Sequence, residues 1–504
     1  MKKLYILSMI ALGLATASCD SYLDINVDPN TPSADVVTPS ILMPAAEMNF
    51  AATYGNLLRI PAGYHCQHFA QQFGTSNYVD FSQFSQSATR SSSSYTQIYQ
   101  RSLANLQTVI EKANASGEAG TVLAATVIRV MGIEAMVDVY GEMPYSEALD
   151  PANPSPKYDQ GKDIYAGLVG ELNAAIDLVA SASNKAVCTN ILYQNGSVND
   201  WVKLANAVKL RLLSRGGSAL GMQSELDALV AEGNFPAGDV AYKNWGNESG
   251  SMNPYYSEEF ATNFGSTQIN VIANIAIINT MLQKDSEGNE LYRDGRLNAF
   301  FNANGSGEFF GGLSGTNNST ANGYSTGTFC RPVASPTMPL SLISKAEVEF
   351  FLSEYYARKG DANNAQAHYE AAIEASFASA GAAGAEDCIA YFPYDQANYK
   401  QCIGLQKWIA LAGVDNFEAY NEMRRLRYPA MSSVKGSDIW SGSGPYNDVN
   451  SIYKPGTLYT PYQVFNQVGE GKILERWPYP NSSTSRNSNA PEFPGYSAKV
   501  FWAE

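Results

Sequence analysis

The sequence predicts a mainly α protein: a tetratricopeptide-like helical scaffold with long loop-rich excursions and a few short strands. Three observations predict it. Apolar residues recur at i, i+3 and i+4 through several long stretches that carry recognisable start and stop residues. One stretch, 344–378, reads as a complete helix–turn–helix unit. Between the helical stretches lie 72–94, 234–268, 302–340 and 429–464, rich in Gly, Ser, Asn and aromatic residues. They are too long for simple connections, and such loops on a rigid frame suit ligand binding.

The chain opens with Met1-Lys2-Lys3, an apolar run from Leu4 to Ala17, and then Ser18 and Cys19. A short basic start, an apolar run too short for a membrane span and small residues before a Cys are the layout of a lipoprotein export signal. Residues 1–18 are therefore read as the signal peptide and Cys19 as the lipidated first residue of the mature chain, although Thr16 stands where Leu is usual. Two or three acyl chains are enough for stable membrane anchoring. Residues 19–40 read as lipidated Cys and extended tether, and 41–504 as one domain. In the tether, Asp24, Asn26 and Asp28 alternate like the start of a calcium loop, but Pro29 replaces the required Gly.

From Ile41 onward helices dominate. The spacing predicts a helix from Tyr95 to Ala115 and a helix over 121–140 that is apolar on more than one face, as in a buried helix, stopped by Gly141 and Pro144. Further helices are predicted over 162–180 (Ile164, Leu168, Leu172, Ile176, Val179) and 200–220 (Trp201, Leu204, Val208, Leu212). In the unit at 344–378, Ser344 and Glu347 form an S-x-x-E capping box. Val348, Phe351, Leu352 and Tyr355 make its first stripe, Gly360-Asp361 the turn, and Ala365, Tyr369, Ala372 and Ile373 the second stripe.

Composition narrows the chemistry. Of 504 residues, 33 are Lys or Arg and 48 Asp or Glu, a net charge of −15. That argues against nucleic acid as a partner, because phosphate binding relies on clustered cations. Three His leave little for a metal centre or His-based catalysis. His65, Cys66 and His68 are close enough to share a metal, but a further ligand is missing, so they read as helix-surface or core residues. Five Cys remain after Cys19, without a C-x-x-C, and read as free thiols, with a Cys388–Cys402 bridge the one alternative. Neither Gly161-Lys162 nor Gly471-Lys472 continues as a phosphate-binding loop, and the G-x-S-x-G at 323–327 lacks the strand and helix of a nucleophile elbow. Glu134, Asp138, Glu142 and Glu147 read as packing and capping groups rather than a catalytic pair. No cofactor, metal or catalytic residue is called.

The aromatic content points to binding. Tyr numbers 31, more than Phe at 21 plus Trp at 6. Tyr and Trp join a flat apolar face to a hydrogen-bonding tip, which suits the faces of sugars and also peptides. The loop candidates are Tyr78, Phe81, Phe84, Trp245, Tyr255, Tyr256, Tyr324, Trp440, Tyr446, Tyr453 and Tyr459. Trp245, Tyr78, Trp440, Tyr255 and Tyr446 are taken as the ligand-binding set. The competing reading for each is a hydrophobic anchor that pins its own loop.

Several segments, in order, resemble the SusD/RagB family of outer-membrane nutrient-binding lipoproteins. Asp24 to Asn30 resembles its D-x-N-x-D-P-N opening, and Tyr140 to Ala148 its Y-G-x-x-P-Y-S-E-A stretch. Trp201 with Ala205-Asn206 and Leu210-Arg211 resembles its W-x-x-x-A-N-x-x-x-L-R helix, and Glu347 to Ile373 its tetratricopeptide pair. Gln406-Lys407-Trp408, Glu418-Ala419-Tyr420, Arg424-Arg425, and Arg476 to Pro480 with Asn487 and Asn489 complete the set. The resemblance implies a non-enzymatic cell-surface lipoprotein that binds an oligosaccharide or peptide and caps a SusC-like TonB-dependent transporter barrel. It implies that the motif residues are structural and that the ligand site lies on variable loops. A surface glycoside hydrolase and a helical scaffold without a ligand are the alternatives.

Overall fold

A computed structural model describes residues 37–194, 196–261, 269–316, 324 and 327–503. The export signal, Cys19, the Asp24–Asn30 element and all of the G-x-S-x-G stretch except Tyr324 and Gly327 lie outside the described residues.

The frame is built from ten helices of ten residues or more among the described residues. They are α1 (Pro39–Ala52), α2 (Ala104–Ser116), α3 (Ala119–Tyr140), α4 (Gly161–Ser181), α5 (Val198–Gly216), α6 (Gln223–Glu232), α7 (Lys345–Lys359), α8 (Ala362–Ala380), α9 (Tyr399–Leu411) and α10 (Asn416–Leu426). Sequential helices pack as pairs: α2 on α3, α4 on α5, α7 on α8, α9 on α10. The pairs join through α3–α5, α5–α7 and α7–α9 contacts. In α3 every residue but Arg129 is buried, as a sequence apolar on more than one face favours. By length and composition α4 could cross a membrane, but its Ile164, Leu168, Leu172 and Val179 are buried in the frame.

The 344–378 unit folds as its sequence directs, with one change. The Ser344 hydroxyl accepts the Glu347 N–H at 3.1 Å. The Glu347 carboxylate does not return the bond; it faces the Arg211 guanidinium, 3.4 Å away. Gly360 ends α7 at φ +77°, a conformation costly for any other residue. Asp361 then caps α8 by accepting the Asn364 N–H. Ser353 stands where the repeat has a small Gly, and its hydroxyl donates to the Ala365 carbonyl at 2.8 Å, tying the two helices together.

Polar residues of the five inner helices meet in one buried network. Arg211 of α5 donates to Glu134 of α3 at 2.7 Å. Arg215 donates to Asp138 of α3 at 2.6 Å, to Glu422 of α10 at 3.1 Å, and to Glu418. Arg425 of α10 forms two bonds with Glu354 of α7, at 2.7 and 2.5 Å. Lys407 of α9 reaches Glu422 at 2.9 Å, its ammonium over the Phe351 ring. Buried ions are stable only when paired and hydrogen-bonded. Here the pairing fixes which face each helix turns inward. Glu134 and Asp138, read from the sequence as packing and capping groups, are members of this network. Glu142 pairs with Arg476 at 3.2 Å, and Glu147 accepts the Lys157 N–H at the end of its own loop.

Burial raises several carboxyls. Glu47 of α1 is fully buried, and desolvation pushes it from 4.5 to about 8 against a bond from the Ile191 N–H. Glu134 and Glu347 rise to about 7 by burial against Arg211. Asp415 rises to about 7 by burial and the neighbouring Glu418 and Glu347 charges. An acid with a raised folded pKa ionises first in the unfolded chain. Stability is thus fully present below about pH 4.5 for this group and falls as pH rises to its folded value. Unfolding free energy should therefore decline from pH 5 to pH 8. In Glu47→Gln that decline should shrink by at least about 1 kcal/mol, as read by urea denaturation at the two pH values. An unchanged slope contradicts this account of Glu47.

The strands are short and pair two by two. β1 (Phe69–Gln71) pairs with β3 (Val271–Ala273), β2 (Val240–Tyr242) with β8 (Leu340–Ile343), β4 (Leu282–Lys284) with β5 (Glu290–Arg293), and β6 (Phe301–Asn302) with β7 (Arg331–Pro332), all antiparallel. β9 (Ala430–Lys435) and β10 (Thr457–Thr460) are parallel. These ladders organise the long irregular stretches into a loop layer on the helical frame.

Candidate functional site

Most of the predicted ligand rings serve the loop layer itself. Tyr255 has no exposure; it stacks on Phe69 with centroids 5.8 Å apart and lies under the Arg59 guanidinium. Tyr78 is 5% exposed and stacks on Phe81 at 5.4 Å. Trp245 is 7% exposed, edge-on to Tyr242 at 4.5 Å. Trp440 is 2% exposed; its indole N–H donates to the Gly444 carbonyl at 3.1 Å, and it packs on Phe73 and Tyr462. Phe81, Phe84, Tyr453 and Tyr459 are buried too. In this structure Tyr255, Tyr78, Trp245 and Trp440 pack inside the loop layer, as the competing anchor reading of each expects. A long loop has little backbone pairing, so burying one large ring supplies much of the free energy that holds it. Trp440→Ala should lower unfolding stability by about 3–5 kcal/mol, measured by urea denaturation; a variant as stable as the wild type refutes the anchoring role.

The remaining member, Tyr446, is half-buried and lines a cleft of about 330 Å³ with Tyr324, Phe309 and Phe310. Its other walls are Ile278, Asn279, Leu282, Lys284, Pro445, Asn447, Val449 and Asn450. Three segments meet here: the helix Ile275–Met281 with β4, the loop around 309–316 and 324, and the loop 445–450. The Asn274 side chain caps that helix by accepting the Ala276 N–H at 2.9 Å. Gly311 lets the 309–316 loop press onto the helix start, where a Cβ would sit 2.6 Å from the Ile275 Cα. The rings interlock: Tyr324 and Tyr446 lie edge-on at 5.0 Å, and Phe310 is 5.6 Å from Tyr446. Phe73 and Phe329 lie behind them, and Trp440 supports Phe73.

The polar groups are also fixed. The Tyr446 N–H donates to the Tyr324 hydroxyl at 2.7 Å, and the Leu313 N–H to the Tyr446 hydroxyl at 3.2 Å. Asn447 donates its amide to the Asp438 carbonyl, and Asp448 caps the turn Val449–Ile452. The Asn279 amide donates to the Asn450 side-chain oxygen at 3.5 Å. The result is a concave aromatic wall facing a rim of amides. Such a surface can stack an apolar ring face and hydrogen-bond its edge. Asn279, Lys284, Phe309, Phe310, Asn447 and Asn450 were not singled out from sequence. The adjacent Phe309-Phe310, followed by Gly311-Gly312 in a polar tract, is the signal that could have found part of the cleft.

Other reactive groups are structural. His65 and His68 are fully buried, and desolvation holds both imidazoles down at about 3. His65 is packed among Phe81, Phe84, Tyr420 and Trp477; His68 Nδ1 lies 2.9 Å from the Asn416 amide. No cluster of three His, Cys, Asp or Glu able to hold a metal exists among the described residues. Cys388 and Cys402 are both free, so the alternative of a bridge between them is withdrawn: Cys388 packs beside Arg296 and Gln406, whereas Cys402 faces the Pro393 carbonyl.

A family model described as SusD-like, "starch-binding associating with outer membrane", matches residues 29–443. The fold is similar to that of a SusD homolog from Bacteroides uniformis (TM-score 0.70, 21% identity, 91% of this chain and 98% of that one). It is also similar to a SusD/RagB family protein from Bacteroides thetaiotaomicron (TM-score 0.68, 19% identity, 92% and 99% covered). A chitin-binding SusD homolog from Flavobacterium johnsoniae aligns with TM-score 0.66 and 19% identity over 91% and 98%. No curated protein matches significantly. With its frame of tetratricopeptide-like helix pairs, its loop layer and a family match over most of its length, the chain belongs to the SusD/RagB family.

Proposed function

We propose that the protein is a cell-surface binding lipoprotein that captures a glycan in the Tyr324–Tyr446 cleft and delivers it to a SusC-like TonB-dependent transporter in the outer membrane. The observation that carries the reading is the cleft itself, with its aromatic wall and its rim of Asn279, Asn447 and Asn450. Starch binding in the family description and chitin binding by one structural relative favour a glycan over a peptide. Cys19 carries the acyl anchor in this reading, and the protein binds its ligand without altering it. Glycoside hydrolysis needs two carboxyl groups facing across the scissile bond, and among the described residues those lining the cleft include no Asp or Glu.

The test uses the chain lacking residues 1–19, titrated calorimetrically with starch- and chitin-derived oligosaccharides and assayed for new reducing ends. Saturable binding without new reducing ends is expected. New reducing ends would establish the hydrolase alternative, and a stable protein partner with no saccharide bound would establish the scaffold. In cells, Cys19→Ala should move the protein from the membrane fraction to the soluble one; continued membrane retention would remove the anchor from the reading.

A further inference from the structure

The charge inside the cleft is opposite to that of the protein. The chain carries a net −15, yet among the described residues the one cation or carboxylate lining the cleft is Lys284, a half-buried residue at the end of β4. Among the described residues Lys284 makes no ion pair. The surrounding charges account for this. Glu290 sits opposite Lys284 in the β4–β5 register, but its carboxylate accepts from Arg293 at 3.1 Å. Asp285 accepts the Glu287 and Asn289 N–H groups of its own turn. Asp448 is occupied by the Asn450 N–H and the Ser451 hydroxyl. Arg293 lies at the side of the cleft with its guanidinium over the Phe309 ring, 5.4 Å from the centroid. Arg293 and Glu290 offset each other, and Asp285 and Asp448 keep their negative charges at the edge, held by neutral N–H and hydroxyl donors, so Lys284 is the charge that faces the aromatic wall itself.

An acidic protein repels anionic ligands at long range, so a cation left without a partner in its ring-lined cleft selects for one at short range. A charge-assisted hydrogen bond to a carboxylate or sulfate is about twice as strong as one to a neutral hydroxyl. Partial exclusion of water by Phe309, Tyr324 and Tyr446 strengthens it further. We propose that the cleft is specific for an acidic glycan, with Lys284 the residue that recognises a carboxylate or sulfate group on a sugar ring stacked against Tyr446. This rests on the reading of the cleft as the glycan site.

The experiment titrates the chain lacking residues 1–19 with matched oligosaccharide pairs: a hyaluronan hexasaccharide against chitohexaose, and tetragalacturonate against cellotetraose. The wild type, Lys284→Gln and Tyr446→Ala are compared, with circular dichroism to confirm folding. The acidic member of at least one pair should bind about tenfold tighter, and that preference should weaken at high salt. Lys284→Gln should remove the preference and leave the affinity for the neutral member in place. Equal binding of both members, equal weakening of both by Lys284→Gln, or a preference that survives Lys284→Gln each overturn the charge assignment. If Tyr446→Ala weakens both members and Lys284→Gln neither, the cleft stands and the acidic specificity falls. If Tyr446→Ala changes nothing, or no member of any pair binds, the cleft reading itself falls with it.

Discussion

Arg215→Met is expected to cost about 3–5 kcal/mol of unfolding free energy, close to the largest effect of a single change. Arg215 is fully buried and is the hub between α3, α5 and α10, reaching Glu134, Asp138, Glu418 and Glu422. The Met side chain fills much of the same volume, so the cost arises from the four carboxylates rather than a cavity. Burial already raises Glu134 and Asp138, and Arg215 is among the charges opposing that rise. The charges of Arg215 and Arg211 hold Glu418 below its usual range, and those of Arg425, Lys407 and Arg215 hold Glu422 well below. Without the guanidinium all four move upward and must take up protons or unfold. The deficit should therefore be largest at pH 8 and shrink at pH 5, where protons replace the missing charge. Urea denaturation at both pH values reads this out. A midpoint equal to the wild type at pH 8 contradicts the network as a structural element. A deficit equal at both pH values identifies lost packing as its cause instead.

The second large effect concerns binding. Tyr324→Ala and Tyr446→Ala should each weaken glycan binding about tenfold, and the double variant by more than about tenfold but less than about a hundredfold. Covering one ring face against a sugar removes on the order of 40–80 Å² of apolar surface from water, about 1–2 kcal/mol. The two rings touch edge-on, and the Tyr324 hydroxyl accepts the Tyr446 N–H. Their effects should therefore couple, and the double variant should fall short of the sum of the singles. Trp440 lies behind this wall without lining it, so Trp440→Ala should lower stability more than affinity. Calorimetric titration alongside urea denaturation separates the two. Unchanged affinity in the double variant removes the cleft from the function.

The helical frame was legible in the sequence because its signals are local. Gly360-Asp361, Ser344, Gly141 and the largely apolar run 121–140 each act within a turn or two of themselves. The sites of buried rings were not legible. A Tyr or Trp in a loop looks the same in sequence whether it faces water, as a ligand platform must, or its own loop, as Tyr255 and Trp440 do. The choice depends on which distant segments fold over it. Phe69 covers Tyr255, and Phe73 and Tyr462 cover Trp440. The cleft residues were missed for the same reason. Asn279, Lys284 and Asn450 are ordinary polar residues in sequence and acquire meaning only when three separate segments converge.

The positions of α3, α4, α5, α7 and α8, the stops at Gly141 and Gly360, the Ser344 cap and the family resemblance came from the order of residues alone, since helix periodicity and capping are short-range physics. Partnership did not. That Arg215 serves four acids from two other helices, that Glu47 loses its water, and that Tyr446 alone of five chosen rings meets an open cleft were decided by tertiary packing. Burial and charge pairing are properties of neighbours brought together across hundreds of residues, and the free energy of a ring or an ion is set by those neighbours.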